Sequence, residues 1–151
     1  MRSFFGAQKH AHPTDAALLL LRLVTGVAMA IHGYPKMFGF GENVEFNGMK
    51  WMGADSWAPG WLQFMAALAE FGGGIAIALG LLTRLSAFGM ACTMGVAVYT
   101  HAWIKSDPFV ANEGGSYEKA AVYLAISLLL LAMGAGRHSA DRALFGPKHT
   151  D

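Results

Sequence analysis

Trp61–Leu82 reads WLQFMAALAEFGGGIAIALGLL and Leu85–Ile104 reads LSAFGMACTMGVAVYTHAWI, with only Thr83-Arg84 between them. Each run is close to the roughly 20 residues that cross a hydrocarbon core of about 30 Å. Inside lipid every backbone group must be satisfied within its own segment, so both runs read as helices. So short a link makes them antiparallel neighbours. Working outward, Ala16–Tyr34 (AALLLLRLVTGVAMAIHGY) and Tyr117–Gly134 (YEKAAVYLAISLLLLAMG) have the same character. The expectation is an all-α integral membrane protein: one domain over residues 1–151, folded as an antiparallel four-helix bundle.

Composition excludes several classes. Of 151 residues, 54% are hydrophobic and 14% charged, and the net charge is +1. That balance leaves no basic footprint for nucleic acid, and so apolar a chain is not disordered. A single cysteine excludes an internal disulfide framework and a multi-cysteine zinc site. Cys92 itself, mid-span, reads as an inert, buried core residue. Nineteen glycines suit helices whose backbones approach closely in lipid.

Boundary signals fit the spans. Pro13-Thr14-Asp15 offers a start for the first, and Pro35 stands where it should end. Pro59 precedes the second, and Gly134 and Gly136 suit the stop of the fourth. Span one is long for a signal-peptide core and lacks a small-residue cleavage pattern after it. Arg2, Lys9, Arg84, Arg137, Arg142 and Lys148 share one side, against Lys36, Lys50, Lys105 and Lys119 on the other. The excess places both termini in the cytoplasm. All four Trp and all four Tyr then lie at or near the outer side. They read as an interfacial belt or, because the belt is one-sided, as an aromatic ligand mouth that includes Tyr34 and Trp103.

The informative residues are ionisable ones inside the spans. Glu70 lies well within span two, where a charge costs at least ~2.5 kcal/mol and points to function by default. Its helical face carries Gln63, Ala66, Ala67, Gly73, Gly74 and Ile77, a stripe of small residues that admits close neighbours. Measured by depth, His32, Lys36, His101 and Glu118 lie in the same outer half, so five ionisable groups can converge there. The plainer reading of Glu70 is a structural ion pair, with Lys36 or an imidazole. Arg22 shares a stripe with Gly26, Met29, Gly33 and Lys36. It reads as snorkelling to the inner headgroups or as an inner gate or lipid-phosphate partner.

Four chemistries fit these residues in principle. His32 and His101 could hold a haem. His32, His101, Glu70 and Glu118 resemble the donor content of bundle metal sites, but without a Glu-x-x-His pair. Met37, Met49, Met52 and His32 are soft copper donors, although Met in apolar chains is usually filler. A quinone between the helices, with Glu70 or a histidine exchanging protons, ranks first. On that reading Glu70, His32 and His101 are catalytic, and Lys36, Glu118, Arg22, Tyr34 and Trp103 contact the ligand. No dedicated metal site is assigned. A soluble or membrane redox partner and a homo-oligomer are compatible with it, because no GxGxxG or CxxC is present to supply electrons within the chain. A scaffold or assembly partner without catalysis, and a small-molecule carrier, are the alternatives.

Five stretches in order resemble the DoxX family: Leu18–Gly39, Leu68–Ala87, the His101 segment, Asn112–Leu124 and Leu131–Gly146. The resemblance rests on R…G…HG…K, AE…GG…GLLTR, GG…YE and a closing G.GR.S.D. Ala140 departs from it, where members often carry leucine. The resemblance implies a four-span protein of the bacterial inner membrane with links to thiol, oxidative-stress and quinone biochemistry, since relatives include a subunit of a thiosulfate:quinone oxidoreductase. The family's recurrent polar residues correspond here to Arg22, His32, Lys36, Glu70, Arg84, Glu118 and Asp141.

Overall fold

In a computed structural model, the structure describes residues 12–38 and 58–146. The long helices are α1 (His12–Phe38), α2 (Gly60–Leu79), α3 (Thr83–Tyr99) and α4 (Glu118–Met133). A π-helical turn, Thr100–Ile104, continues α3, and a short α5, Ala140–Phe145, follows α4. The four long helices form an all-α, antiparallel bundle. α1 packs chiefly on α2, α2 on α3, and α3 on α4. Among the described residues, three helical segments are long and apolar enough to cross a membrane: Pro13–Phe38, Gly60–Leu79 and Thr83–Ile104. α4 has 16 residues, about 24 Å at ~1.5 Å per residue, and so falls short of the ~30 Å core.

α1 runs on through Pro35 to Phe38. Proline lacks only the N–H that would reach back to the carbonyl of Ile31, and one missing bond in a last turn does not end the helix. The buried stripe of α1 is the one the periodicity predicts: Arg22, Gly26, Met29 and Gly33 are buried and Lys36 half-buried. This stripe meets α2 backbone to backbone. A Cβ added at Gly26 would lie 2.5 Å from both the amide nitrogen of Ala78 and the carbonyl oxygen of Gly74. One added at Gly33 would lie 2.4 Å from the amide nitrogen of Phe71. The core beside this seam is Leu18, Met29, Ile77, Ala87, Met90, Met94 and Leu130.

The end of the bundle that holds the α2–α3 link is closed by polar bonds to the buried carboxylates of Asp15 and Asp141. Gly80 turns the chain with φ 69°, and Leu82 also takes a left-handed φ, 45°. The carboxylate of Asp141, on α5, accepts the amide N–H of Leu82 at 2.6 Å and that of Thr83 at 2.9 Å. It thereby caps α3 in place of a local side chain. Ser139 starts α5 by accepting from the amide of Arg142. Asp15, 1% exposed, accepts the amide N–H of Arg137 at 2.9 Å. Arg84 donates to the carbonyl of Ala132 at 3.1 Å, and Gly134, at φ 75°, stands against its guanidinium.

Three sequence expectations change here. Arg22 does not snorkel: it is 1% exposed and donates to the carbonyl of His138. Its guanidinium also fills the space a Cβ on Gly80 would need, and Asp141 answers its charge. Asp15 caps a distant backbone segment rather than merely opening its own helix. Cys92 is exposed, turned outward from the bundle on α3. Asp141→Ala is expected to lower stability by about 1–3 kcal/mol, because the amides of Leu82 and Thr83 at the start of α3 lose their acceptor. Thermal unfolding of the purified protein in detergent measures it, and an unchanged midpoint would remove Asp141 from this role.

Candidate functional site

At the opposite end of the bundle, Glu70 projects from α2 with only 3% exposure. Gly33 makes this possible: without a side chain there, α1 rests directly on the backbone of Glu70 and Phe71. Lys36, one turn further along α1, extends its stem into the same place. Its ammonium donates to both carboxylate oxygens, at 2.7 and 2.5 Å. The Lys36 side chain is 19% exposed and that of Glu70 4%. The expected ion pair therefore exists, with Lys36 rather than an imidazole as the partner. An ammonium has three donors. Glu70 takes two, and the third is left to donate.

An aromatic set flanks the pair. Phe71 meets Phe38 at 5.1 Å and Tyr34 at 5.9 Å between ring centroids, and Tyr34 lies 5.4 Å from Phe38. Below these rings a groove of about 270 Å³ is lined by Ala30, Ile31, Tyr34 and Phe71. Its walls are apolar, and it opens outward from the bundle. Tyr34 is 57% exposed and Trp103 70%. Trp103 stacks on Tyr99 at 5.9 Å, a full bundle layer away on the α3 extension.

The other candidates do not join the pair. His32 is exposed, because it lies roughly 80° from the centre of the buried stripe at about 100° per residue. Glu118 is exposed on the first turn of α4. His101 is engaged elsewhere: its Nδ1 lies 2.6 Å from Oδ2 of Asp107. Arg22 belongs to the closed end. Five residues of similar depth thus resolve into one ion pair, one His–Asp pair and two outward-facing side chains. Among the described residues, no three of His, Cys, Asp and Glu come together as a metal would require. The carboxylate and imidazole donors are spread over different faces and ends. Met49 and Met52 of the copper reading, and Trp51 and Trp57 of the aromatic belt, lie outside the described residues.

Asp107 was not found from sequence. It lies in a loop, and nothing in its spacing announces a bond back to His101. The signal available was the Asp-Pro turn directly after an interfacial His. Asp141 entered only through the family resemblance, and Asp15 only as a helix start.

Comparison with known proteins agrees with this architecture. The DoxX family model matches residues 17–103, which covers most of α1, all of α2 and α3, and most of the π turn. Inner membrane protein YqjF of Escherichia coli (strain K12) is 30% identical over 131 residues, 86% of this chain and 93% of that protein. Inner membrane protein YphA of the same organism is 32% identical over 127 residues, 83% of this chain and 88% of its own. The Bacillus subtilis (strain 168) protein named "Putative oxidoreductase CatD" is 30% identical over 103 residues, 68% of this chain and 71% of that protein. No solved structure matches the chain. The match over the helices that build the Lys36–Glu70 pair, and the nearly full-length likeness to YqjF, make this chain a membrane protein of the DoxX family.

Proposed function

We propose that the protein is a quinone-handling subunit of a redox system in the bacterial inner membrane, with both termini in the cytoplasm. The observation that carries this reading is the buried Lys36–Glu70 pair, with an apolar groove on the neighbouring residues Tyr34 and Phe71. A charge at that depth is costly and points to function. The remaining Lys36 proton is a donor for a quinone carbonyl oxygen, and the groove at Ala30, Ile31, Tyr34 and Phe71 offers an apolar wall for the ring or its isoprenoid chain. Glu70 holds the ammonium in place. The inner-membrane names of YqjF and YphA support the location, and the provisional oxidoreductase name of CatD supports the redox class. Electrons would come from a partner protein or a small reductant.

One observation favours a non-enzymatic scaffold instead: both Glu70 oxygens are already occupied by Lys36. Binding separates the two readings. Decyl-ubiquinone is titrated into the purified chain in lipid nanodiscs, beside the double variant Lys36→Met/Glu70→Leu, which removes the pair without stranding a charge. The double variant is expected to stay folded and to bind at least tenfold more weakly, about 1.4 kcal/mol. Equal binding by both proteins would remove the pair as anchor. No binding by either would favour the scaffold.

A further inference from the structure

The His101–Asp107 pair is built by unusual local backbone. α3 widens into a π turn at Thr100–Ile104, a device common at functional positions. The chain then turns through Ser106 in the left-handed region, φ 55°, a conformation that disfavours any residue but glycine. That turn brings Asp107 back, so that its amide donates to the carbonyl of His101 at 2.8 Å while its carboxylate meets Nδ1 at 2.6 Å. On the far side Gly115 packs directly on the carboxylate. A Cβ there would lie 2.5 Å from Oδ2 and 2.9 Å from Oδ1. Two departures from ordinary backbone, and a glycine where a side chain would clash, thus hold one carboxylate on one imidazole nitrogen.

The chemistry follows from the donor inventory. An ionised carboxylate only accepts, so the proton of this contact sits on Nδ1. In the neutral ring Nε2 then carries the lone pair. The His101 side chain is 32% exposed and that of Asp107 21%, so the ring is neither sealed in the core nor fully solvated. It stands at the same end of the bundle as Lys36, where the spanning helix α3 leaves the apolar layer. The outward-facing Tyr99 and Trp103 mark that level, as interfacial aromatics do.

We propose that His101, oriented by Asp107, is a proton-accepting site that serves a hydroquinone at the membrane boundary, separate from the Lys36–Glu70 anchor. The proposal rests on the quinone reading above and adds to it where the proton goes. The hydroxyl O–H of the hydroquinone breaks, and its bonding pair stays on oxygen, giving the hydroquinone monoanion. The proton forms an N–H bond at Nε2. The resulting imidazolium keeps its Nδ1–H on Asp107, and the carboxylate stabilises the new positive charge. Release of the Nε2 proton to water restores the base. Asp107 is a positioning residue, since it acts through the ring.

The test uses the full chain in lipid nanodiscs, labelled with ¹⁵N in histidine and lysine. His101→Gln and Lys36→Met/Glu70→Leu spectra assign the two signals, and decyl-ubiquinol is added without oxygen as the probe. The expected result has three parts. His101 shows the Nδ1–H tautomer, decyl-ubiquinol shifts its Nε2 signal toward the protonated form, and Asp107→Ala returns the ring to Nε2–H and abolishes that shift. An Nε2–H tautomer in the unaltered protein overturns the proposal, as does a tautomer unchanged by Asp107→Ala. If decyl-ubiquinol moves the Lys36 signal and leaves Nε2 unmoved, this proposal falls and the quinone reading stands. If it moves neither, both fall.

Discussion

Lys36→Met is expected to destabilise the bundle by about 3–5 kcal/mol, because it leaves the Glu70 carboxylate buried without its counter-charge. Glu70 is 3% exposed and both its oxygens bond to Lys36, so no other described partner stands ready. Glu70→Leu should cost less. The Lys36 side chain is already 19% exposed, and its stem can lift the ammonium toward the boundary. The double variant Lys36→Met/Glu70→Leu should return close to the original stability, since replacing a buried pair by apolar residues of similar volume is often neutral or better. Unfolding in mixed detergent micelles, followed by circular dichroism, measures all three. If Lys36→Met unfolds within about 0.5 kcal/mol of the unaltered protein, the pair does not hold the helices together.

Gly26→Leu should be worse still. Overfilling a packed core costs about 1–3 kcal/mol when side chains can give way. At Gly26 the obstacles are backbone: the amide nitrogen of Ala78 and the carbonyl oxygen of Gly74, both 2.5 Å from the first added carbon. Backbone in a regular helix cannot rotate aside, so α1 and α2 must separate along their length. The expected result is failure to accumulate as a folded monodisperse protein. Gly95→Ala is the control, because nothing lies within 4 Å of its added carbon. There the better helix former should be neutral or stabilising by up to ~1 kcal/mol. Normal yield and melting for Gly26→Leu would mean that the seam is not close-packed.

The two helix-period stripes were legible because lipid enforces helices and helices enforce a period of 3.6. Arg22, Gly26, Met29 and Gly33 on α1, and Ala67, Glu70, Gly74 and Ile77 on α2, are buried as the spacing predicts. Depth was legible too, and it correctly placed Glu70 and Lys36 in one layer. Azimuth was not read beyond those stripes, since hydropathy is nearly uniform around helices that have lipid on one side and protein on the other, and depth alone gathered the other candidates. That is why His32 and Glu118, at the right depth, turn away from the pair. Cys92 was misplaced for the same reason: an apolar residue suits the lipid face as well as the core. The closed end was hidden by distance along the chain. Asp15 and the Arg137 amide are 122 residues apart, and Asp141 lies 58 residues from the Thr83 amide that it caps. Asp15 looks like a local helix cap in sequence, because the side chain that caps a neighbour also caps a stranger.

The closed end also dictates an order of events during synthesis. Arg22 is made 116 residues before the carbonyl that accepts its bond, and the first turn of α3 is made long before Asp141. Chains grow at ~5–20 residues per second, so the first helix enters the bilayer several seconds ahead of its partners. Through that interval the Arg22 guanidinium lacks the carbonyl that accepts from it in the finished fold. A segment made 116 residues later is therefore the one that locks the first. A chain stopped before residue 138 would carry an exposed polar lesion within the membrane, the kind of mark by which a cell's proteases distinguish an unfinished membrane protein from a finished one.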